Sequence, residues 1–429
     1  MEEQNKSRSH AYALLIFASF FLYIVLTGAK NLYVAEKTTL QQLGTFGSFT
    51  DLAATMEYYF YAYAVMQILL AFFMHRLNIK YFLTITLGLS AVITILMAFT
   101  DTIISHWVLY TVNGAMQAGV WGCSLQVLGK YLPRKELSIA NTLMTSGPAV
   151  AGVVSYGFAA AFGDNWRLPF IILGTLLLFA VGLYFFSVSY VQRFPRVVET
   201  HRVIREDGTE EDVSDEAEND FIHLDNKKRR IVFYALSVVM GLAVTGLFFT
   251  INNTLDIFLK QIGGFDNTTA KWITVVAPVA IIIGPILCVK VCDKHRNFLA
   301  VGVGFFGLSA IFAVLLLFLF DVHIVLSLVL LLAFMVLTNG GRSISFSIAA
   351  LKLRDKIDVG VCSVLTNAAG SIASGVIPKL FTMIIDNPTL SPVENWTNAF
   401  TLITVWNVVV VAVLVGLILW IKYINRKKQ

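Results

Sequence analysis

Thr27-Gly28-Ala29-Lys30-Asn31-Leu32-Tyr33-Val34-Ala35-Glu36 closes an apolar run that carries no formal charge from Tyr12 to Ala29. A run of that kind suits a bilayer-crossing helix, which needs roughly 20 residues, and is too long and too unalternating for a barrel strand. In hydrocarbon a backbone must satisfy its own hydrogen bonds, so the run is read as helix. Lys30 then stands in one of two places. Either the first helix leaves lipid there and the ammonium reaches the headgroups, or the lysine lines a wet cavity inside the membrane.

The rest of the chain repeats the pattern. Of its 429 residues 57% are hydrophobic and 14% charged, against roughly 25% charged in soluble proteins. About twelve apolar runs of spanning length predict a polytopic, all-α membrane protein. Of the 32 Lys and Arg, all but Lys30, Lys37, Arg167, Lys260, Lys271, Arg342 and Lys379 lie at the two termini or in every second connection. The positive-inside rule therefore predicts cytoplasmic N- and C-termini and a cytoplasmic central loop. As topology markers these charges argue against a nucleic-acid partner. Cys123, Cys288, Cys292 and Cys362 fall in or beside apolar runs without metal or disulfide spacing and read as small core residues. The polar start from Met1 to His10 leads into a run with no small-residue cleavage site, so no cleaved signal peptide is expected.

In order, helix 1 is expected from about Ala11 into the Lys30 region and helix 2 from about Met56 to His75. Helices 3 to 6 are expected near 81–100, 104–131, 137–162 and 168–190. Helix 2 opens on Glu57-Tyr58-Tyr59-Phe60-Tyr61-Ala62-Tyr63. Tyr58 and Tyr59 suit an interfacial belt, and Tyr61 a cavity wall. From Gln192 to Arg230 hydrophobicity collapses, and Glu206 to Asp220 is an acidic, solvated linker. Helices 7 to 12 are expected near 231–259, 271–292, 298–320, 323–351, 359–386 and 398–422. The division into 1–190, 191–230 and 231–429 predicts two pseudo-symmetric six-helix halves enclosing a site near the midplane. Gly147-Pro148-Ala149-Val150-Ala151-Gly152 and Gly370-Ser371-Ile372-Ala373-Ser374-Gly375 occupy matching places in helices 5 and 11, as a duplicated fold with close helix packing would have them.

Two stretches carry a family resemblance. Asn113-Gly114-Ala115-Met116-Gln117-Ala118-Gly119-Val120-Trp121-Gly122 runs on to Arg134-Lys135-Glu136, and Gly284-Pro285-Ile286-Leu287-Cys288 ends at Asp293-Lys294. They resemble the major facilitator superfamily and, within it, the organophosphate:phosphate antiporters. The resemblance covers nearly the whole chain outside the central loop. It implies the major facilitator fold of 12 transmembrane helices, and cytoplasmic gate charges at Arg76, Asp293, Lys294 and Arg296. His75 stands where the first gate copy usually has an acid.

The site departs from that family. Its Arg-Lys-Asn of helix 1 falls on Ala29, Lys30 and Asn31. The arginine five residues before Asp256 falls on Ile251, and the histidine of helix 5 falls on Gly147. Lys30 and Asp256 remain, which by resemblance pair across the two halves. A phosphate dianion is held best by guanidinium forks, so their loss argues against an organophosphate. Two other cations stand within the membrane. Arg342 lies ~13 Å from the cytoplasmic helix end near Leu351, and Lys379 ~10 Å from the outer end near Asp386. An ionisable group at such depth normally faces a partner or a cavity.

The expected substrate site comprises Lys30, Asn31, Tyr33, Tyr61, Gln117, Asn253, Asp256, Asn339, Arg342, Asn367 and Lys379. The amides supply both donors and acceptors. The reading is a monomeric secondary transporter in the lipid bilayer, moving a small organic anion by alternating access. The anion is a carboxylate or related monoanion, coupled to a counter-anion as exchanger or to a proton as symporter. Asp256 and Glu57 are the candidate titrating acids. An exporter of amphipathic compounds, a sugar-phosphate antiporter and a transporter-like sensor are the alternatives. No cofactor, metal site or enzymatic centre is expected: the sequence has no nucleophile-base set, phosphate loop or metal cluster.

Overall fold

The computed structural model describes residues 2–73, 76–194, 203–204, 210–211, 227–295, 297–345 and 359–426. The chain forms rods that run back and forth. In the first part these are α1 (Glu2–Ala35, continued by Lys37–Gln42), α2 (Phe49–Phe73), α3 (Ile79–Met97), α4 (Ile103–Gln117 and Val120–Tyr131), α5 (Arg134–Phe162) and α6 (Arg167–Val191). A two-residue antiparallel pair, β1 (Val203–Ile204) and β2 (Glu210–Glu211), lies in the central segment. The second part holds α7 (Lys227–Asn252, continued by Leu255–Gln261), α8 (Asn267–Thr274, Val276–Ile281 and Ile283–Lys294), α9 (Phe298–Leu319), α10 (Ile324–Ser343), α11 (Val359–Ile385) and α12 (Pro392–Arg426). Nine spans among the described residues are long and apolar enough to cross a membrane. The protein is an all-helical membrane protein.

Helix starts differ from expectation where capping chemistry overrides apolarity. α2 starts at Phe49 because Ser48 and Asp51 form a reciprocal box. Asp51 Oδ2 accepts from the Ser48 amide and hydroxyl, each at 2.9 Å, and Ser48 Oγ accepts from the Asp51 amide at 3.3 Å. Ser391 and Glu394 do the same ahead of α12, with Pro392 at the first helical position. Such boxes satisfy the orphan amides of a first turn. Asp266 caps α8, and the Thr269 hydroxyl and amide hold its carboxyl below the usual range. α1 runs well past Lys30, so that lysine is not a helix-end anchor.

Buried apolar residues gather in clusters that divide along the chain. One is built from α7 to α12 with Phe49 added, and two from α1 to α6. α2 packs along α11, and α5 against α8. At both contacts a glycine permits the approach. A Cβ on Gly152 would stand 2.7 Å from Pro278 of α8, and one on Gly375 2.8 Å from Cα of Glu57 in α2. The matched small-residue segments thus serve the two matched contacts.

Candidate functional site

Tyr23, Thr27 and Lys30 follow one another at helical spacing and share a face of α1. Tyr110 donates its hydroxyl proton to the carbonyl of Lys30, which anchors the backbone there. The Lys30 ammonium stands 5.7 Å from the centroid of Phe60 in α2. It has no hydrogen-bond or ion-pair partner among the described residues. Across the gap, the Arg342 guanidinium of α10 lies 5.3 Å from the Phe248 ring and 5.5 Å from the Phe249 ring of α7. Phe60 and Phe249 meet edge to face at 6.0 Å. A cation, two rings and a second cation therefore form a continuous bridge from α1 to α10.

The Lys30 and Arg342 charges repel one another. Cation–π contact offsets part of their desolvation, and an anion between them would offset more. Tyr23 borders the same space, with its ring 5.3 Å from Trp121 and its charge environment coupled to Arg342. A Cβ on Gly147 would come 2.7 Å from the Tyr23 ring, so tyrosine occupies the space in front of the helix 5 position that the resemblance assigns to histidine. Tyr63 faces Asn367 of α11. Asn31 is half-buried beside Lys30.

Several expected site residues lie in closed hydrogen-bond and packing contacts. Tyr33 is fully buried, with its hydroxyl 3.0 Å from Thr55 Oγ1 and its ring against Tyr110 and His106. Tyr61 is 38% exposed and donates to Glu57 at 2.7 Å. Two residues along a helix is about 200° of rotation, so Tyr59 and Tyr63 point inward where Tyr61 does not. Gln117 sits in a closed network, accepting from Tyr59 at 2.6 Å and donating to Ser90 Oγ at 2.9 Å and Asn113 Oδ1 at 3.1 Å. Asn339 donates to the Ile281 carbonyl at 3.2 Å and ties α10 to α8. Lys379 is no open cation: it donates to Glu57 Oε2 at 2.5 Å, joining α11 to α2. Glu57 is thereby engaged twice.

The implied pair of Lys30 with Asp256 is not formed. Asp256 follows the break after Asn252 and lies level with Lys37, ~10 Å along α1 beyond Lys30. Asn253 is buried there, and its carbonyl accepts from Lys37 Nζ at 3.0 Å. Of the gate charges, Arg76 and Lys294 are exposed. His75, Arg296 and the side chain of Asp293 lie outside the described residues.

The level of Lys37 holds what the sequence reading missed. Lys271 of α8 donates to Glu36 Oε2 at 2.7 Å and to Thr39 Oγ1 at 2.6 Å. Asn267 donates to Thr39 at 3.0 Å, and Tyr156 of α5 to the Asn252 carbonyl at 3.2 Å. Glu36, Lys37, Asp256 and Lys271 are all buried. This polar plug joins the two groups of helices at the end away from the chain termini, about one to two helical turns beyond Lys30. In the sequence Glu36-Lys37 followed by Thr38-Thr39 marks its α1 side, and Asp256 and Lys271 its partners on α7 and α8.

Comparison with known proteins accords with this architecture. A family profile described as Major Facilitator Superfamily matches residues 12–378. The fold is similar to that of a bacterial homolog of the human lysosomal transporter Spinster in an inward-facing, unoccupied conformation. That likeness has 16% identity, covers 95% of this chain and 96% of that one, and gives a TM-score of 0.66. The nucleoside transporter NupG is similar at 14% identity, with 95% and 98% covered and a TM-score of 0.62. No curated protein sequence matches the chain. At such identities the likeness is one of fold.

Proposed function

Because this chain belongs to the major facilitator superfamily and is a secondary transporter, we propose that its cargo is a small organic anion, a carboxylate or related monoanion. The halves 1–190 and 231–429 move about the 191–230 linker to present the site alternately to either side. The observation that carries this reading is the Lys30 ammonium, held in the protein interior without a hydrogen-bond partner among the described residues and with a second cation, Arg342, close enough for the two charges to repel. An ionisable group inside a membrane protein is stabilised by a partner or a wet cavity, and the cargo supplies the partner. Asn31 and Asn367 orient it. Ala29, Ile251 and Gly147 leave no family fork or histidine for a phosphate ester, which disfavours the sugar-phosphate alternative.

The Phe60–Phe249 contact favours a cargo with an apolar or planar body, so an amphipathic compound is the second reading. A thermal-shift screen of the purified protein separates the two. Organic acids, sugar acids, phosphate esters, sulfonates and uncharged amphipaths would be compared. Carboxylates should raise the melting temperature of the wild type and lose that effect in Lys30→Gln and Arg342→Ala. Stabilisation by uncharged amphipaths alone, retained in both variants, would reject the anion.

A further inference from the structure

The surroundings of Lys30 and Arg342 are aromatic well beyond the Phe60–Phe249 contact. Trp121 of α4 lies against Tyr23 of α1, with ring centroids 5.3 Å apart. Tyr23 is close enough to Tyr63 of α2 for their hydroxyls to interact, and Tyr63 stands one helical turn from Phe60 on the same face. Phe60 leads to Phe249, whose ring meets that of Phe248 at 5.2 Å. A run of rings thus passes from α4 through α1 and α2 to α7, with Lys30 against one ring and Arg342 against two. Phe60 and Phe248 are buried, but Trp121, Tyr23, Tyr63 and Phe249 are only half-buried, as are both cations. Each of these keeps surface that a small molecule can touch.

Hydrogen-bonding capacity beside the cations is limited. Of the amides expected at the site, Gln117 and Asn339 are committed to other groups and Asn253 lies at the level of the plug. Asn31 and Asn367 are left, and Asn367 meets the Tyr63 hydroxyl. A polyhydroxylated cargo would therefore bring hydroxyls out of water without partners, at a cost for each. A flat aromatic ring has no such groups, and among other rings it gains edge-to-face or offset contacts beyond the burial of its area.

We propose that the cargo is an aromatic monocarboxylate, its ring held among Tyr23, Phe60, Tyr63 and Phe249 while its carboxylate meets Lys30 and Arg342. The Tyr63–Asn367 pair serves a single polar substituent on the ring. This rests on the anion reading and narrows it from carboxylates in general to one class.

Isothermal titration calorimetry of the purified full-length protein tests it with benzoate, cyclohexanecarboxylate, gluconate and benzamide. Cyclohexanecarboxylate keeps the charge and the size of benzoate but has no π-face. Gluconate keeps the charge and adds hydroxyls, and benzamide keeps the ring without the charge. Benzoate should bind at least about fivefold tighter than each of the others, as one or two aromatic contacts allow. Tyr23→Leu and Phe249→Leu remove a ring and keep an apolar side chain. Each should narrow the ratio between benzoate and cyclohexanecarboxylate by at least about twofold, and because they lie in different helices one can stand in for the other if it fails to fold. Equal binding of benzoate and cyclohexanecarboxylate, tightest binding of gluconate, or a ratio unchanged in the folded variants would overturn the aromatic proposal and leave the anion reading standing. Benzamide binding as well as benzoate, or no binding by any of the acids, would overturn both.

Discussion

Lys271 Nζ donates to Glu36 Oε2 at 2.7 Å, and neither side chain reaches water. The pair spans residues far apart in sequence and ties the end of α1 to the start of α8. Removing one partner from such a pair leaves an uncompensated buried charge, at a cost of about 3–5 kcal/mol. Lys271→Met should therefore lower the melting temperature in detergent sharply. The double variant Glu36→Gln/Lys271→Met should recover part of the loss, whereas additive losses would mean that the two residues act independently.

Lys379 of α11 and Glu57 of α2 form a second interhelical tie, partly shielded from solvent, with Tyr61 on the same carboxylate. Lys379→Met should cost about 1–3 kcal/mol, between the values for exposed and fully buried pairs. Its affinity for a stabilising carboxylate should stay within about twofold of wild type, since by affinity arithmetic a direct ligand would lose far more. Unchanged stability with abolished binding would put Lys379 back among the cargo residues.

Gly375 and Gly152 test the duplicated contacts. A leucine at Gly375 would drive its Cβ into the backbone of Glu57, and one at Gly152 into Pro278. Overpacking of this sort costs about 1–3 kcal/mol or forces the helices apart. Each variant should lower the melting temperature and slow transport, with no change in which acids bind. A shift in acid preference would show that these contacts shape the cargo site itself.

The fold was legible because long uncharged runs leave one backbone solution in lipid, and because basic residues mark alternate connections. Helix starts were less so: the Ser48–Asp51 and Ser391–Glu394 boxes set α2 and α12 several residues ahead of the apolar runs. At the site, the sequence pointed to Lys30 and Arg342 as cations too deep for the surface, and the structure sets both against one aromatic bridge. Helical phase sorts the aromatics: Tyr61 lies outward on α2 against Glu57, whereas Tyr63 faces Asn367 and Tyr23 lies near Arg342. Glu36, Lys37 and Lys271 were missed because charges near helix ends look solvated in one dimension. Only the continuation of α1 through Gln42 buries them. Transfer by motif misassigned the partner of Asp256, since spacing along two helices does not fix their relative height.

In the proposed site Lys30 and Arg342 together hold an anionic cargo. The most direct test is uptake into proteoliposomes of the carboxylate that stabilises the wild type most, compared with Arg342→Ala and Lys30→Gln of matched thermal stability without ligand. The account predicts saturable uptake by wild type and a loss of at least about tenfold in each variant, equivalent to about 1.4 kcal/mol or more of binding or transition-state free energy. Robust uptake by folded Arg342→Ala would contradict it.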